Sequence, residues 1–375
     1  MKLIFNYMKQ QIVMIICCFS FLGYSQPQRL SENARMSVLT CGTSDELYAL
    51  FGHTALRVVD EQEQIDVVFN YGMFDFRTPN FYGKFVKGDL IYYLDANRYT
   101  DFVESYREDN RSVYEQPLNL SVAQKQKIWD EVRRHMSSQE RYYQYKFIDN
   151  NCTTKVVDLL NEVLPVPLKT DFPENERFYR AILNDYLETH YFEKLGINLI
   201  FGAKVDRINN QLFLPDKLMH SIEISKNGHE KLTDETLTVF KASPMKKGIT
   251  WNSIYTFSAI CFIIMVLSVF QSFRNSYFFV MGFLGVFFIG AGFYSFHQEL
   301  ALNNVVLMCN PLFLVYIFVK KESKIKRILY YSIVGLFVLY LSFVGLEKLK
   351  VFMPLIFLNI VVLFLEQRNL KRKFK

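Results

Sequence analysis

The last third of this 375-residue chain is a series of five apolar runs, and nothing else in the sequence limits its folding as strongly. The runs lie near 251–270, 277–296, 302–319, 328–346 and 351–365. Each approaches the ~20 residues that cross a bilayer as a helix. A chain with such a tail folds at a membrane, and whatever precedes the tail is held beside it. The connectors predict the orientation. Lys320, Lys321, Lys324, Lys326 and Arg327 lie between the third and fourth runs, and Arg368, Lys371, Arg372, Lys373 and Lys375 follow the fifth. Arg274 lies between the first and second, whereas the opposite connectors, 297–300 and 347–350, are nearly balanced. The positive-inside rule then puts the C-terminus in the cytoplasm and the segment 26–249 outside it.

The N-terminus predicts the same topology independently. Lys2 and Lys9 precede an apolar run over 12–22, and Gly23 and Ser25 are spaced for cleavage before Gln26. This pattern reads as a secretory signal peptide over 1–25. The alternative is an uncleaved anchor, for which the run is rather short. Cys17 and Cys18 lie inside the apolar run and are not read as a lipoprotein anchor. The formal net charge of +6 reflects basic residues in the membrane-part loops, and no basic stripe interleaved with aromatics points to nucleic acid. The domains expected are a signal at 1–25, an exported catalytic domain at 26–249, and a membrane domain at 250–375.

In the exported segment, strands are expected over 37–39, 53–59, 65–71, 89–97 and 111–118. The pair 53–59 and 65–71 reads as a hairpin closed by a polar loop at 60–64. A helical turn is expected at 45–51 and a loop at 77–83. Helices are expected from the Ser121 cap to about Met136, from Cys152 to about Leu164, and over 177–191. Pro165 and Pro167 end the second of these.

Two short strings carry the chemistry: Phe51-Gly52-His53-Thr54-Ala55-Leu56-Arg57 and Asn150-Asn151-Cys152-Thr153-Thr154. The first puts an imidazole at the start of a strand, and the second puts a thiol at the start of a helix. A helix N-terminus favours thiolate, the reactive form of cysteine. Its free N–H groups also suit an oxyanion. His53 is the expected base, and its ring needs a third group to fix the tautomer. Asn70 and Tyr71, on the partner strand, are both within reach, and Asp75 is a further candidate. Arg57 and Asn151 are candidate substrate-binding residues. The bland readings are a structural strand histidine and a packing cysteine. A Cys41–Cys152 disulfide is the other alternative, natural in an oxidising compartment and exclusive of a nucleophile. Cys261 and Cys309 read as small apolar residues of membrane helices. The remaining exported histidines, His135, His190, His220 and His229, read as surface residues. No metal-ligand spacing, no G-x-S-x-G and no phosphate-binding glycine loop is present, so no metal and no cofactor is expected.

The order, histidine before cysteine, reverses that of papain-like proteases. It suggests an α+β, circularly permuted papain-like domain of the NlpC or lecithin:retinol-acyltransferase type. Further strings add to this: Ser37-Val38-Leu39-Thr40-Cys41-Gly42, Phe69-Asn70-Tyr71-Gly72-Met73-Phe74-Asp75-Phe76, Gly196-Ile197-Asn198-Leu199-Ile200-Phe201-Gly202 with Asp206-Arg207, and Phe213-Leu214-Pro215. In the membrane part, His297, Asn303-Asn304 and Asn310-Pro311 fit as well. Together these resemble the lipoprotein N-acyltransferases of the Lnb type over almost all of the chain after residue 25. Cys41 belongs to that pattern. The resemblance implies a Cys152 thioester that carries a fatty acyl group from a membrane phospholipid to the α-amine of a diacylated lipoprotein. It also implies an inner-membrane protein with a periplasmic catalytic domain. His297, Asn303, Asn304 and Asn310 become candidates for a lipid path, with interhelical hydrogen bonding as the plain alternative. Two other functions stay open: a membrane-anchored cysteine hydrolase acting on lipid or peptidoglycan, and a non-enzymatic envelope assembly or sensor protein.

Overall fold

The computed structural model describes residues 28–170, 177–244, 251–320 and 322–373. The signal-peptide expectation over 1–25 lies outside the described residues. The N-terminal part is built on an antiparallel seven-stranded sheet whose strands lie in the spatial order 142–144, 91–98, 65–73, 53–60, 35–41, 113–117 and 237–240. In chain order, β1 (Arg35–Cys41), β2 (His53–Asp60) and β3 (Ile65–Met73) are followed by helix α1 (Phe81–Lys87) and β4 (Ile91–Arg98). Helix α2 (Tyr99–Glu108) leads to β5 (Val113–Pro117), α3 (Val122–Ser137), the short β6 (Tyr142–Gln144) and α4 (Cys152–Asn161). Then come α5 (Tyr179–Tyr186), α6 (Tyr191–Ile200) and α7 (Pro215–Ile224). A short hairpin, β7 (Lys226–Asn227) and β8 (Glu230–Lys231), precedes the edge strand β9 (Leu237–Phe240).

Alternation in the central strands gives the sheet two apolar faces. On one, Val38, Leu56, Val58, Phe69 and Leu94 pack against Ile128 and Trp129 of α3, Val156 and Leu160 of α4, and Leu218 of α7. On the other, Leu39, Cys41, Ala55 and Val68 pack against Phe102 and Val103 of α2. Ser121 caps α3 in a capping box with Gln124, as its position in the sequence predicts.

Several elements differ from expectation. The 77–83 segment expected as loop runs into α1. The helix expected over 177–191 ends as α5 at Tyr186, where Leu187 leaves helical backbone angles, and a further helix, α6, begins only at Tyr191 after non-helical His190. Leu187 is fully buried and anchors the break. Helices α2 and α7 have no counterpart in the sequence reading.

Of the five apolar runs, three form helices long and apolar enough to cross a membrane. After α8 (Ile254–Leu267), these are α9 (Gln271–Tyr294), then, beyond α10 (Val305–Met308) and α11 (Leu312–Phe318), α12 (Lys324–Phe343) and α13 (Leu346–Lys373). The run at 251–270 yields only the 14 residues of α8, which starts at its Ser253 cap. The run at 302–319 is split between α10 and α11 at Cys309-Asn310-Pro311, because proline lacks the N–H that would continue the helix. Three of the about five expected spans are thus helices of membrane-crossing length, and the other two runs form shorter apolar helices.

The N-terminal part and the apolar C-terminal helices share packing. Tyr191 and Leu195 of α6 lie in the same apolar cluster as Phe278, Val305 and Phe352. The Gly202 N–H donates to the Glu299 carbonyl at 2.7 Å, and the Ala203 N–H to that of Ala301 at 3.2 Å. Gly202 is required there: a Cβ would stand 1.9 Å from the Ala301 oxygen. We expect Gly202→Ala to cost about 1–3 kcal/mol and lower the Tm of detergent-purified full-length protein by several degrees. An unchanged Tm would show that this junction is not tightly closed.

Candidate active site

Asn151 caps α4: its Oδ1 accepts from the Thr154 N–H at 2.9 Å, and the Thr154 hydroxyl accepts from the Asn151 N–H. Cys152 is therefore the first helical residue, where N–H groups lack intrahelical acceptors. The same amide donates to the carbonyls of Phe147 and Phe213 at 2.8 and 2.9 Å. Asn151 thus spends all its polar atoms on holding the helix start. This corrects its assignment to substrate binding.

Strand β2 and helix α4 are stapled one residue beyond each candidate group. The Thr54 and Thr153 hydroxyls share a hydrogen bond at 3.0 Å. The staple brings His53 to Cys152. The thiol, although buried, has its pKa lowered: burial pushes it up, but the His53 charge and hydrogen bond, the Thr54 N–H and the Thr153 hydroxyl together outweigh that. Cys41 is the informative contrast. It pairs directly with His53 across β1 and β2, yet its thiol is pushed up to about 12 by burial against a weaker hydrogen bond from Tyr106. Both cysteines are free thiols, so no bridge blocks Cys152.

His53 Nε2 lies 3.2 Å from Asn70 Oδ1. The Asn70 amide donates to Asn97 Oδ1 at 2.9 Å and to the Val68 carbonyl at 3.4 Å. Only its carbonyl remains for the ring, so Nε2–H donates and Nδ1 is left for the thiol. Of the two third-residue candidates, Asn70 is the one the structure brings to His53. Tyr71 is corrected: strand alternation turns it to the opposite face, where its hydroxyl meets His135 Nδ1 at 2.7 Å. His135 is consequently half-buried and is not the surface residue expected. Asp75 is engaged by Arg77 on the surface.

The other candidates lie elsewhere. Arg57 is held by Asp66 at 2.8 Å and Glu115 at 3.1 Å, with its guanidinium 3.2 Å from the Tyr99 ring centre. With four hydrogen bonds to these two carboxylates, the guanidinium is committed to an ion-pair network across the sheet, and the structure gives it no contact with Cys152. His297 sits after α9 with Nε2 2.9 Å from the Phe85 carbonyl, against α1 rather than against Cys152. Asn303 donates to the Leu199 carbonyl at 2.6 Å, and Asn304 accepts from Lys348 at 2.5 Å. Asn310 donates to the Leu307 carbonyl. Asn303 and Asn304 thus bond to other helices, whereas the Asn310 bond is local. Among the described residues, no group of three or more His, Cys, Asp or Glu converges as a metal site.

Three groups at the site were not anticipated. Gly72, with φ +87°, brings bare backbone past the thiol; a Cβ there would lie 3.6 Å from that of Cys152. Tyr145 flanks the same gap, its ring 3.7 Å from that point. The Tyr143 hydroxyl, 3.8 Å from it, is buried beside the Gly72 backbone. Burial and the nearby Cys152 charge hold the Tyr143 phenol well above its ordinary pKa, so it stays a neutral O–H donor. These tyrosines sit on and beside a three-residue strand, too short for pattern reading.

With this geometry established, a comparison with protein families gives one result. Residues 26–184 match the Lnb N-terminal periplasmic domain. No curated protein and no solved structure matches the chain. The Lnb-like segment contains His53, Asn70, Tyr143 and Cys152 and ends within α5. The chain thus joins a segment similar to a periplasmic domain to helices long and apolar enough to cross a membrane.

Proposed function

We propose that this protein is a lipoprotein N-acyltransferase built on a Cys152–His53–Asn70 triad in a papain-like arrangement. The observation that carries the reading is geometric: the Cys152 thiol opens a helix, the Thr54–Thr153 hydrogen bond holds it beside His53, and Asn70 fixes that ring, with the thiol pKa lowered there and that of Cys41 raised. The Lnb-like segment and the apolar helices support a lipid substrate.

The Cys152 thiolate attacks the ester carbonyl of a phospholipid. The tetrahedral oxyanion is met by the Cys152 N–H and the Tyr143 O–H. As the intermediate collapses, His53 gives its proton to the departing lysophospholipid alkoxide, leaving a Cys152 thioester. The α-amine of a diacylated lipoprotein's N-terminal cysteine then attacks the thioester carbonyl. His53 takes the amine proton, the thiolate leaves, and the acyl group stays on nitrogen as an amide. Asn70 keeps the ring turned so that Nδ1 faces sulfur throughout. Both substrates lie in the outer leaflet of the inner membrane, and confinement beside it supplies effective concentration that a soluble enzyme lacks. The catalytic domain is periplasmic and the C-terminus cytoplasmic in this reading.

Tyr143→Phe is expected to lower kcat about 100-fold with little change in KM and no change in Cys152 alkylation, because only the oxyanion loses a donor. Wild-type kcat in that variant would remove Tyr143 from the mechanism. The function itself is tested by mass spectrometry of lipoprotein N-termini in a strain lacking the protein. Wild-type complementation should restore N-acylated termini, and Cys152→Ala should not. N-acylation that persists without the protein, or that Cys152→Ala restores, rejects the proposal in favour of a hydrolase or a binding protein.

A further inference from the structure

Helix α1 buries none of its seven residues, Phe-Tyr-Gly-Lys-Phe-Val-Lys. Tyr82 is 77 % exposed and Phe76, in the loop before it, 60 %. Phe85 and Val86 are exposed as well. A contiguous apolar ridge of this kind marks a contact surface. The ridge is firmly placed. The Phe296 N–H donates to the Lys87 carbonyl at 2.7 Å, the Ser295 hydroxyl donates to the Val86 carbonyl at 3.0 Å, and His297 Nε2 meets the Phe85 carbonyl at 2.9 Å. All three partners directly follow α9, a helix of membrane-crossing length, so α1 stands where α9 leaves the apolar layer. Phe293 and Tyr294 at that end are also exposed. The charges on α1 are Lys84 and Lys87, the latter paired with Asp89 at 2.7 Å. Exposed aromatics with basic residues, level with the end of a spanning helix, are the chemistry of a lipid interface.

The ridge continues inward as a chain of rings. Phe81 lies 5.8 Å from Phe74, Phe74 5.4 Å from Tyr92, and Tyr92 4.6 Å from Tyr145. Tyr145 borders the gap at Gly72 beside Cys152.

We propose that α1 and the loop 74–80 dock into the interfacial layer of the bilayer, and that this ring track leads a phospholipid acyl chain to Cys152. The docking stands on placement and surface chemistry, whereas the track rests on the acyl-transfer reading above.

The test uses full-length protein in nanodiscs whose phospholipids carry bromine high on the acyl chain. Tyr82→Trp is made in a Trp251→Phe background, leaving buried Trp129 as a constant signal. Emission contributed by the residue at 82 should fall roughly twofold or more against unbrominated lipid. In parallel, Phe76→Ser with Phe85→Ser should slow thioester formation from vesicle phospholipid about tenfold, while acylation by a short water-soluble thioester stays within twofold. An unquenched tryptophan at 82 overturns docking, whatever the reaction; a second copy or another protein covering the ridge gives that result. Quenching with equal loss on both donors overturns the track. Quenching of the reporter, with wild-type protein that takes no acyl group from phospholipid, leaves docking standing and rejects acyl transfer.

Discussion

Cys152→Ala is expected to accumulate in the membrane as a folded protein and to transfer no acyl group, a loss of at least about 10⁴-fold. The expectation follows from its place in the site. The side chain is small and sits at the first turn of a helix whose cap, Asn151 with Thr154, does not depend on sulfur. Val156, Leu159 and Leu160 continue to bury α4 against the sheet. Truncation therefore removes the nucleophile and little packing. Purified wild type and variant should show the same Tm within a few degrees, while only the wild type yields a hydroxylamine-labile acyl adduct. Undiminished N-acylation by the alanine variant removes Cys152 from the nucleophile's role. Cys41→Ser offers the complement, because a thiol held up near 12 has almost no thiolate at neutral pH.

His53→Ala is expected to lose 10²- to 10⁴-fold in transfer, the usual contribution of a general base and acid. It also predicts a pH signature. The His53 charge and hydrogen bond are the largest influences that lower the Cys152 pKa against burial. In the wild type, alkylation of Cys152 should persist at pH values below the ordinary thiol range. Without the imidazole, burial dominates and the thiol pKa rises, so the alkylation profile shifts to higher pH. Asn70→Ala should act in the same direction but more weakly, through ring orientation, and its profile should lie between the two. Superimposable profiles for wild type and His53→Ala would show that the imidazole does not act on this thiol.

The two central residues were legible in the sequence because each opens an element with a local signature. Asn151 and Thr154 spell a helix cap around Cys152, and His53 begins an alternating run after a glycine with positive φ. Asn70 was only half legible. Choosing it over Tyr71 requires the pairing of Leu56 with Phe69, and register is a property of the folded sheet. Arg57 shares a strand with His53, but its partners Asp66 and Glu115 come from two other strands, which the local string does not show. Tyr143 and Tyr145 reach the site only because the edge strand β6 pairs with β4. Helix α1 escaped notice because its aromatics face outward, so it shows no buried stripe of the kind that periodicity detects. In the membrane part, hydropathy found the apolar runs but is blind to the break that Asn310-Pro311 makes in one of them.

The central claim is that an acyl group passes through Cys152 to an amine. Reconstitution of the purified full-length protein tests it most directly, in vesicles with acyl-labelled phospholipid and a diacylated lipopeptide bearing a free α-amine. The label should appear first as a thioester on Cys152 and then as an amide at the peptide N-terminus, with lysophospholipid released in equal amount. Label recovered only as free fatty acid, or amide formed at the wild-type rate by Cys152→Ala, would contradict the account.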